Sequence, residues 1–197
     1  MIRWYSAALA PILLWCGTSA QAADVATIDC VGKLLAPATA NAISVDFQAS
    51  MESVQKGLPD LPMQRGGASD PAVRAEILEA ATRCGDVNRW TIAARDAASD
   101  YALKELALPV FEAEVLNDGI DPGQITRLSK ELPGVSHGWE EEPVSEHEKS
   151  LRTIAALTMR LLREGISLQT PQQQRDVYAL ALWLVRLNDT RTDFIAA

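Results

Sequence analysis

Three times in this sequence a helix-capping side chain stands directly before a proline: Asp70-Pro71, Asp121-Pro122 and Thr170-Pro171. The cap oxygen accepts a hydrogen bond from the open amides of a first helical turn. Proline suits the next position, where its fixed φ is helical and its missing N–H is not needed. Ser145-Glu146-His147-Glu148 and Thr170-Pro171-Gln172-Gln173 also read as capping boxes, in which cap and third residue bond each other's backbone. Between these marks apolar residues recur at three-to-four spacing, and alternation of β-branched residues is almost absent. Such punctuation restricts the chain to an all-α fold, a multi-helix bundle or irregular helical array of about seven helices.

The spacing predicts a first short helix over 24–35, ended by Pro37, and a second from a Thr39 cap to Lys56, with Gly57 as its stop. Residues 57–69 hold Pro59, Pro62, Gly66 and Gly67 and read as a loop. The next helix opens at Asp70 and ends at Gly85; another starts at Asp86 and runs to Leu108, where Pro109 marks a break before a short helix over 110–116. Residues 117–123 form a turn that leads into a helix ending near Leu132. A second irregular stretch precedes Ser145, whose helix reaches Gly165. The last helix, Thr170 to about Leu187, is apolar on nearly all sides through Val177, Leu180, Ala181, Leu182, Trp183, Leu184 and Val185, and is expected at the centre of the core.

Residues 1–22 read as a secretory signal. Arg3 precedes an apolar run from Ser6 to Trp15, and Ala20-Gln21-Ala22 fits the small-residue cleavage pattern, which makes Ala23 the expected start of the processed chain. The run is shorter than the roughly 20 residues that span a bilayer. Trp15 before Cys16 disfavours lipoprotein processing. The short leader suggests the periplasm, with full secretion as the alternative, and no membrane insertion after cleavage. Residues 23–197 are then a single helical domain with enough chain to bury a core. The whole chain has 18 basic and 26 acidic side chains, a net charge of −8, and removing Arg3 makes it −9. So acidic a chain lacks the basic face a nucleic-acid partner needs, and it suits a basic protein partner.

Cys30 and Cys84 remain after cleavage. In an oxidising compartment an even pair reads as a structural disulfide. The two are not spaced as C-x-x-C, which removes the usual redox-catalytic arrangement.

Catalytic and cofactor motifs are weak. Ser53-Val54-Gln55-Lys56 matches the S-x-x-K of penicillin-recognising enzymes, but the S-D-N and K-T-G elements that complete such a site are absent. Residues 136–148 hold both histidines, His137 and His147, together with Trp139 and five glutamates. No H-E-x-x-H spacing joins them, so a metal is not expected. A large aromatic rimmed by charge instead resembles an interface hot spot. His137, Trp139, Glu140, Glu141 and Glu142 are therefore the candidate binding residues; no catalytic residue, metal ligand or cofactor is assigned. The plainer reading of this stretch is a solvated acidic loop running into a helix cap.

The profile of a small, exported, acidic, helical chain with one disulfide is similar to that of periplasmic immunity proteins. It is equally similar to accessory subunits and assembly chaperones of secretion machines. The likeness is of profile and covers no motif. It implies a protein-binding module of the inhibitor or immunity type. The alternatives are an accessory or assembly subunit of an envelope complex, and a small periplasmic hydrolase using carboxylates.

Overall fold

The computed structural model describes residues 23–55, 70–132 and 145–197. Among them are seven α-helices, a short 3-10 turn at Val25–Thr27 and no strand. The helices are α1 (Cys30–Leu34), α2 (Pro37–Gln55), α3 (Pro71–Asn88), α4 (Ile92–Asn117), α5 (Pro122–Ser129), α6 (Glu146–Arg163) and α7 (Pro171–Ala196). No helix among the described residues is long and apolar enough to cross a membrane. The expected leader and residues 57–69 lie outside the described residues.

The caps act where the sequence places them. Asp70 accepts from the amide of Ala72 at 2.7 Å, and Asp121 from that of Gly123 at 2.9 Å. Thr170 and Gln173 form a full reciprocal box. At Ser145 only half the expected box is made: Ser145 accepts from Glu148 N at 3.2 Å, while the Glu148 carboxylate turns along the helix to Arg152 at 2.8 Å. The ion pair competes for the same oxygens and wins there.

Several boundaries differ from the expected ones. Pro37 is the first residue of α2, and the Thr39 hydroxyl donates to Glu76 of α3. Gly85 does not stop α3, which continues to Asn88. The turn comes at Arg89, in the left-handed region at φ 58°, and Thr91 rather than Asp86 caps α4 by accepting from Ala94 N at 3.0 Å. Pro109 does not divide α4, which runs through to Asn117. Proline at this position removes the amide that would bond the carbonyl four residues earlier, and the Ser44 hydroxyl of α2 lies 3.3 Å from the neighbouring Leu106 carbonyl. Buried Ala107, Phe111 and Val115 carry the packing face on past the proline. The last helix extends beyond Leu187 to Ala196 and buries Phe194.

The core centres on α4 and α7, each of 26 residues and so about 39 Å long. Alanines 94, 98 and 102 repeat every four residues along α4 and are fully buried, which lets neighbouring backbones approach closely. As expected, α7 is central: it packs on α4, α5, α6 and the 3-10 turn. Trp183 of α7 stacks on Phe111 of α4 at 4.7 Å and meets Phe47 of α2 edge-on at 5.1 Å. Its indole N–H donates to the Lys104 carbonyl at 2.8 Å, so the ring is buried without an orphan donor. Buried Lys104 pairs with Asp100 and donates to Thr190 at 2.9 Å, tying α4 to α7 a second time.

The N-terminal segment is held from three sides. Cys30 and Cys84 form a disulfide with a Cα–Cα distance of 6.0 Å, joining α1 to α3. Trp90 sits between α3 and α4, stacks edge-on against Phe194 at 5.1 Å and donates to the Thr27 hydroxyl at 3.1 Å. Glu76 of α3 accepts from the amide of Ala36 at 2.9 Å and from the Thr39 hydroxyl. Both bonds favour the ionised carboxylate, and its pKa is lowered, first by Thr39 and then by Ala36.

Candidate functional site

His137, Trp139, Glu140, Glu141 and Glu142 lie outside the described residues. His147 is described; it stands exposed in the first turn of α6. No group of three or more histidine, cysteine or acidic side chains among the described residues could hold a metal ion.

Two other features stand out. The first is a cleft of about 160 Å³ between α4, α5 and α7. Tyr101 comes from α4, Thr126, Ser129 and Lys130 from α5 and its C-cap, and Leu184, Leu187, Asn188 and Arg191 from α7. The spacing explains the convergence: on α5 the lining residues fall at i, i+3 and i+4, and on α7 at i, i+3, i+4 and i+7, one face of each helix. Ser129 is 4% exposed, and its hydroxyl has no hydrogen-bond partner among the described residues. The leucines and Tyr101 are half-buried, while Lys130, Asn188 and Arg191 are exposed at the rim. Neither Lys130 nor Arg191 has an ion-pair partner among the described residues, and no carboxylate lines the cleft. Burial raises the pKa of the Tyr101 phenol; Glu105 and Asp29 raise it further and Arg191 opposes them, so the phenol remains a donor.

The second feature is the outer face of α6. Thr153, Leu157 and Leu161 form its buried side. Leu151, Ala155, Met159 and Leu162 occupy the opposite side, all exposed, Leu162 by 64%.

A third cluster is structural. Asp176 of α7 is buried and its pKa is raised, chiefly by desolvation. A Gln172 amide donor opposes that shift, while Asp118 adds to it by hydrogen bonding and by charge, and Glu114 by charge. Asp118 Oδ2 is buried and accepts no hydrogen bond among the described residues, which a proton held on Asp176 would supply.

The cleft residues escaped the sequence reasoning because three distant segments build the walls. One signal was present: Ser129 stands four residues after Ile125 and next to Leu128, a hydroxyl on the buried side of its helix. Compared with known proteins, the chain matches no family model, no curated protein and no solved structure.

Proposed function

We propose that this chain is an exported, periplasmic helical module that binds a partner protein, as an inhibitor or immunity-type protein does. The observation that carries this reading is the outer face of α6. A single exposed leucine is ordinary, but Leu151, Met159 and Leu162, with Ala155 between them, line one side of one helix. Apolar anchors at successive turns are what a helix offers to a partner's groove, and contiguous exposed apolar surface marks interaction sites. Arg152, Arg160 and Arg163 lie on the same helix and can fix register through charge. The Cys30–Cys84 bond supports export, because such bonds persist in oxidising compartments. The acidic net charge of the chain suits a basic partner.

The test is affinity capture from periplasmic extract, using the chain from Ala23 with its disulfide formed. The wild type should retain one stoichiometric partner. A triple variant, L151E/M159E/L162E, should lose it while keeping its helical circular dichroism. Equal retention by both would remove α6 from the interface; Trp139→Ala with changes at Glu140–Glu142 would then be the next comparison. Retention of nothing at low ionic strength, where charge steering is strongest, would count against binding altogether. The partner's character separates the two binding readings: a soluble enzyme or toxin supports an inhibitor, and a membrane complex supports an accessory subunit.

A further inference from the structure

We infer that the cleft between α4, α5 and α7 binds a small monocarboxylate with an apolar body, a molecule about the size of benzoate. Size is the first constraint. A closed apolar cavity of about 150 Å³ admits benzene, and this cleft offers about 160 Å³. That is well below the volumes that take drug-sized ligands. Its occupant is therefore a molecule of roughly ten heavy atoms or fewer, with the ring or chain against Leu184 and Leu187.

Charge is the second constraint. Among the described residues the lining contributes two cations, Lys130 and Arg191, and no acid, on a chain whose net charge is −8. Arginine presents a planar fork that matches a carboxylate in two parallel bonds. The exposed positions of Lys130 and Arg191 place this charge at the mouth, so the carboxylate stays at the rim and the apolar body enters. Two carboxylates, Asp29 and Glu105, act on Tyr101 from nearby and oppose an anion. Lys33 pairs with Asp29 at 3.5 Å, and the pKa of Glu105 is raised, first by burial and then by Asp29, with Lys33 opposing them. The two carboxylates do not line the cleft, so solvent screens them more than it screens the two cations at contact.

The third constraint is the Ser129 hydroxyl, buried and unpartnered among the described residues. A buried polar group without a partner costs stability, and folded proteins rarely leave one. Ser129 is one of the residues that line the cleft, and a rotation about its χ1 would present the hydroxyl, which is closed to water as it stands, to a ligand there. A para-hydroxyl or an ether oxygen on the inner end of the apolar body would complete it, which makes 4-hydroxybenzoate a better fit than benzoate. Tyr101 and Asn188 add donors on the walls.

The test is a titration of the full processed chain with 4-hydroxybenzoate, benzoate and benzamide, followed by amide chemical shifts and by calorimetry. Shifts should cluster at 126–130 and 184–191. Benzamide, which keeps the shape and loses the charge, should bind about tenfold more weakly or worse, as should benzoate to Arg191→Gln. Ser129→Ala should abolish the preference for 4-hydroxybenzoate over benzoate and leave benzoate affinity unchanged. Leu187→Trp should fill the cleft and block all three. Arg191→Gln alters an exposed side chain, so a folding defect does not confuse the result. Equal affinities for benzoate and benzamide would overturn the inference, as would shifts elsewhere on the surface or no shifts at all.

Discussion

Breaking the Cys30–Cys84 bond should lower the stability of the fold by about 4 kcal/mol. The two cysteines are 54 positions apart in sequence. The chain-entropy relation for a loop of this length gives about 14 cal/mol/K, which is about 4 kcal/mol at 25 °C. Unfolding entropy near the midpoint is about 2.1 cal/mol/K per residue, so the melting temperature of the processed chain should fall by roughly 10 °C. The assay is thermal and urea unfolding followed by circular dichroism, with and without dithiothreitol. Reduction is the cleaner perturbation because both sulfurs stay in place. A double variant, Cys30→Ala with Cys84→Ala, also vacates space, since Cys84 is buried, and should lose about 1 kcal/mol more. The reduced protein should still fold: Ile28, Val31 and Leu35 remain buried, and Glu76 and Trp90 still hold the N-terminal segment. Its urea slope should rise, because an uncrosslinked unfolded chain exposes more surface. A melting shift below about 3 °C with an unchanged slope would refute the reasoning. That outcome would mean the bond only pins a segment that frays on its own.

Three further perturbations separate local preference from packing. Gly85→Ala places a Cβ against Arg95 Nε and 2.7 Å from Arg95 Cγ; overpacking of about 1–3 kcal/mol outweighs the helix gain of about 1 kcal/mol, so urea unfolding should show a net loss. In an Arg95→Ala background the same change should stabilise by up to about 1 kcal/mol, and the same sign in both backgrounds would contradict this account. Asp176→Asn should stabilise at neutral pH, because burial raises the folded pKa of Asp176; wild-type stability should rise as pH falls from neutral through that raised pKa toward the unfolded value near 3.8, and the variant should lack this rise in a pH series of urea melts. Glu76 has the opposite sign: its lowered pKa contributes stability above the ordinary value of 4.5 that is lost as pH falls through the folded one, so Glu76→Gln should flatten the acid limb, and a carboxyl NMR titration with a midpoint at or above 4.5 would contradict it.

Four helix starts were legible because a cap is a local device, while those of α2 and α4 fell elsewhere than expected. Asp70, Asp121, Ser145 and Thr170 each bond an amide two or three residues ahead, and no tertiary contact is needed to foresee it. Gly85 and Pro109 misled for the converse reason. Glycine usually ends a helix by taking a left-handed conformation, yet Gly85 is helical and its missing Cβ makes room for Arg95. The left-handed residue is Arg89, a position no residue preference would single out. The next residue in the chain, Trp90, holds it there, buried against Phe194 from the far end of the sequence. Pro109 is tolerated because Phe111 and Val115 continue the buried face beyond it. What decides both lies far along the chain, Phe194 against Trp90 in one case and Trp183 against Phe111 in the other, beyond a window of ten or twenty residues.

The cleft extends the same logic from fold to chemistry. The other buried hydroxyls among the described residues have partners: Thr153 donates to the Lys149 carbonyl at 3.0 Å, Thr190 joins Lys104 and Asp100, and Thr39 bonds Glu76, whereas Ser129 Oγ shares its want of a partner with Arg95 Nε and Asp118 Oδ2. Threonine and serine in a helix ordinarily turn back to a carbonyl one turn earlier, as Thr153 does. Ser129 stands four residues after Ile125 and makes no such bond, although the opportunity is local. A hydroxyl held at an apolar position and left without a partner costs free energy that an alanine there would avoid. Periodicity alone therefore marks Ser129 as an anomaly. The three-helix packing then places this residue in the lining of a small cationic-rimmed cleft.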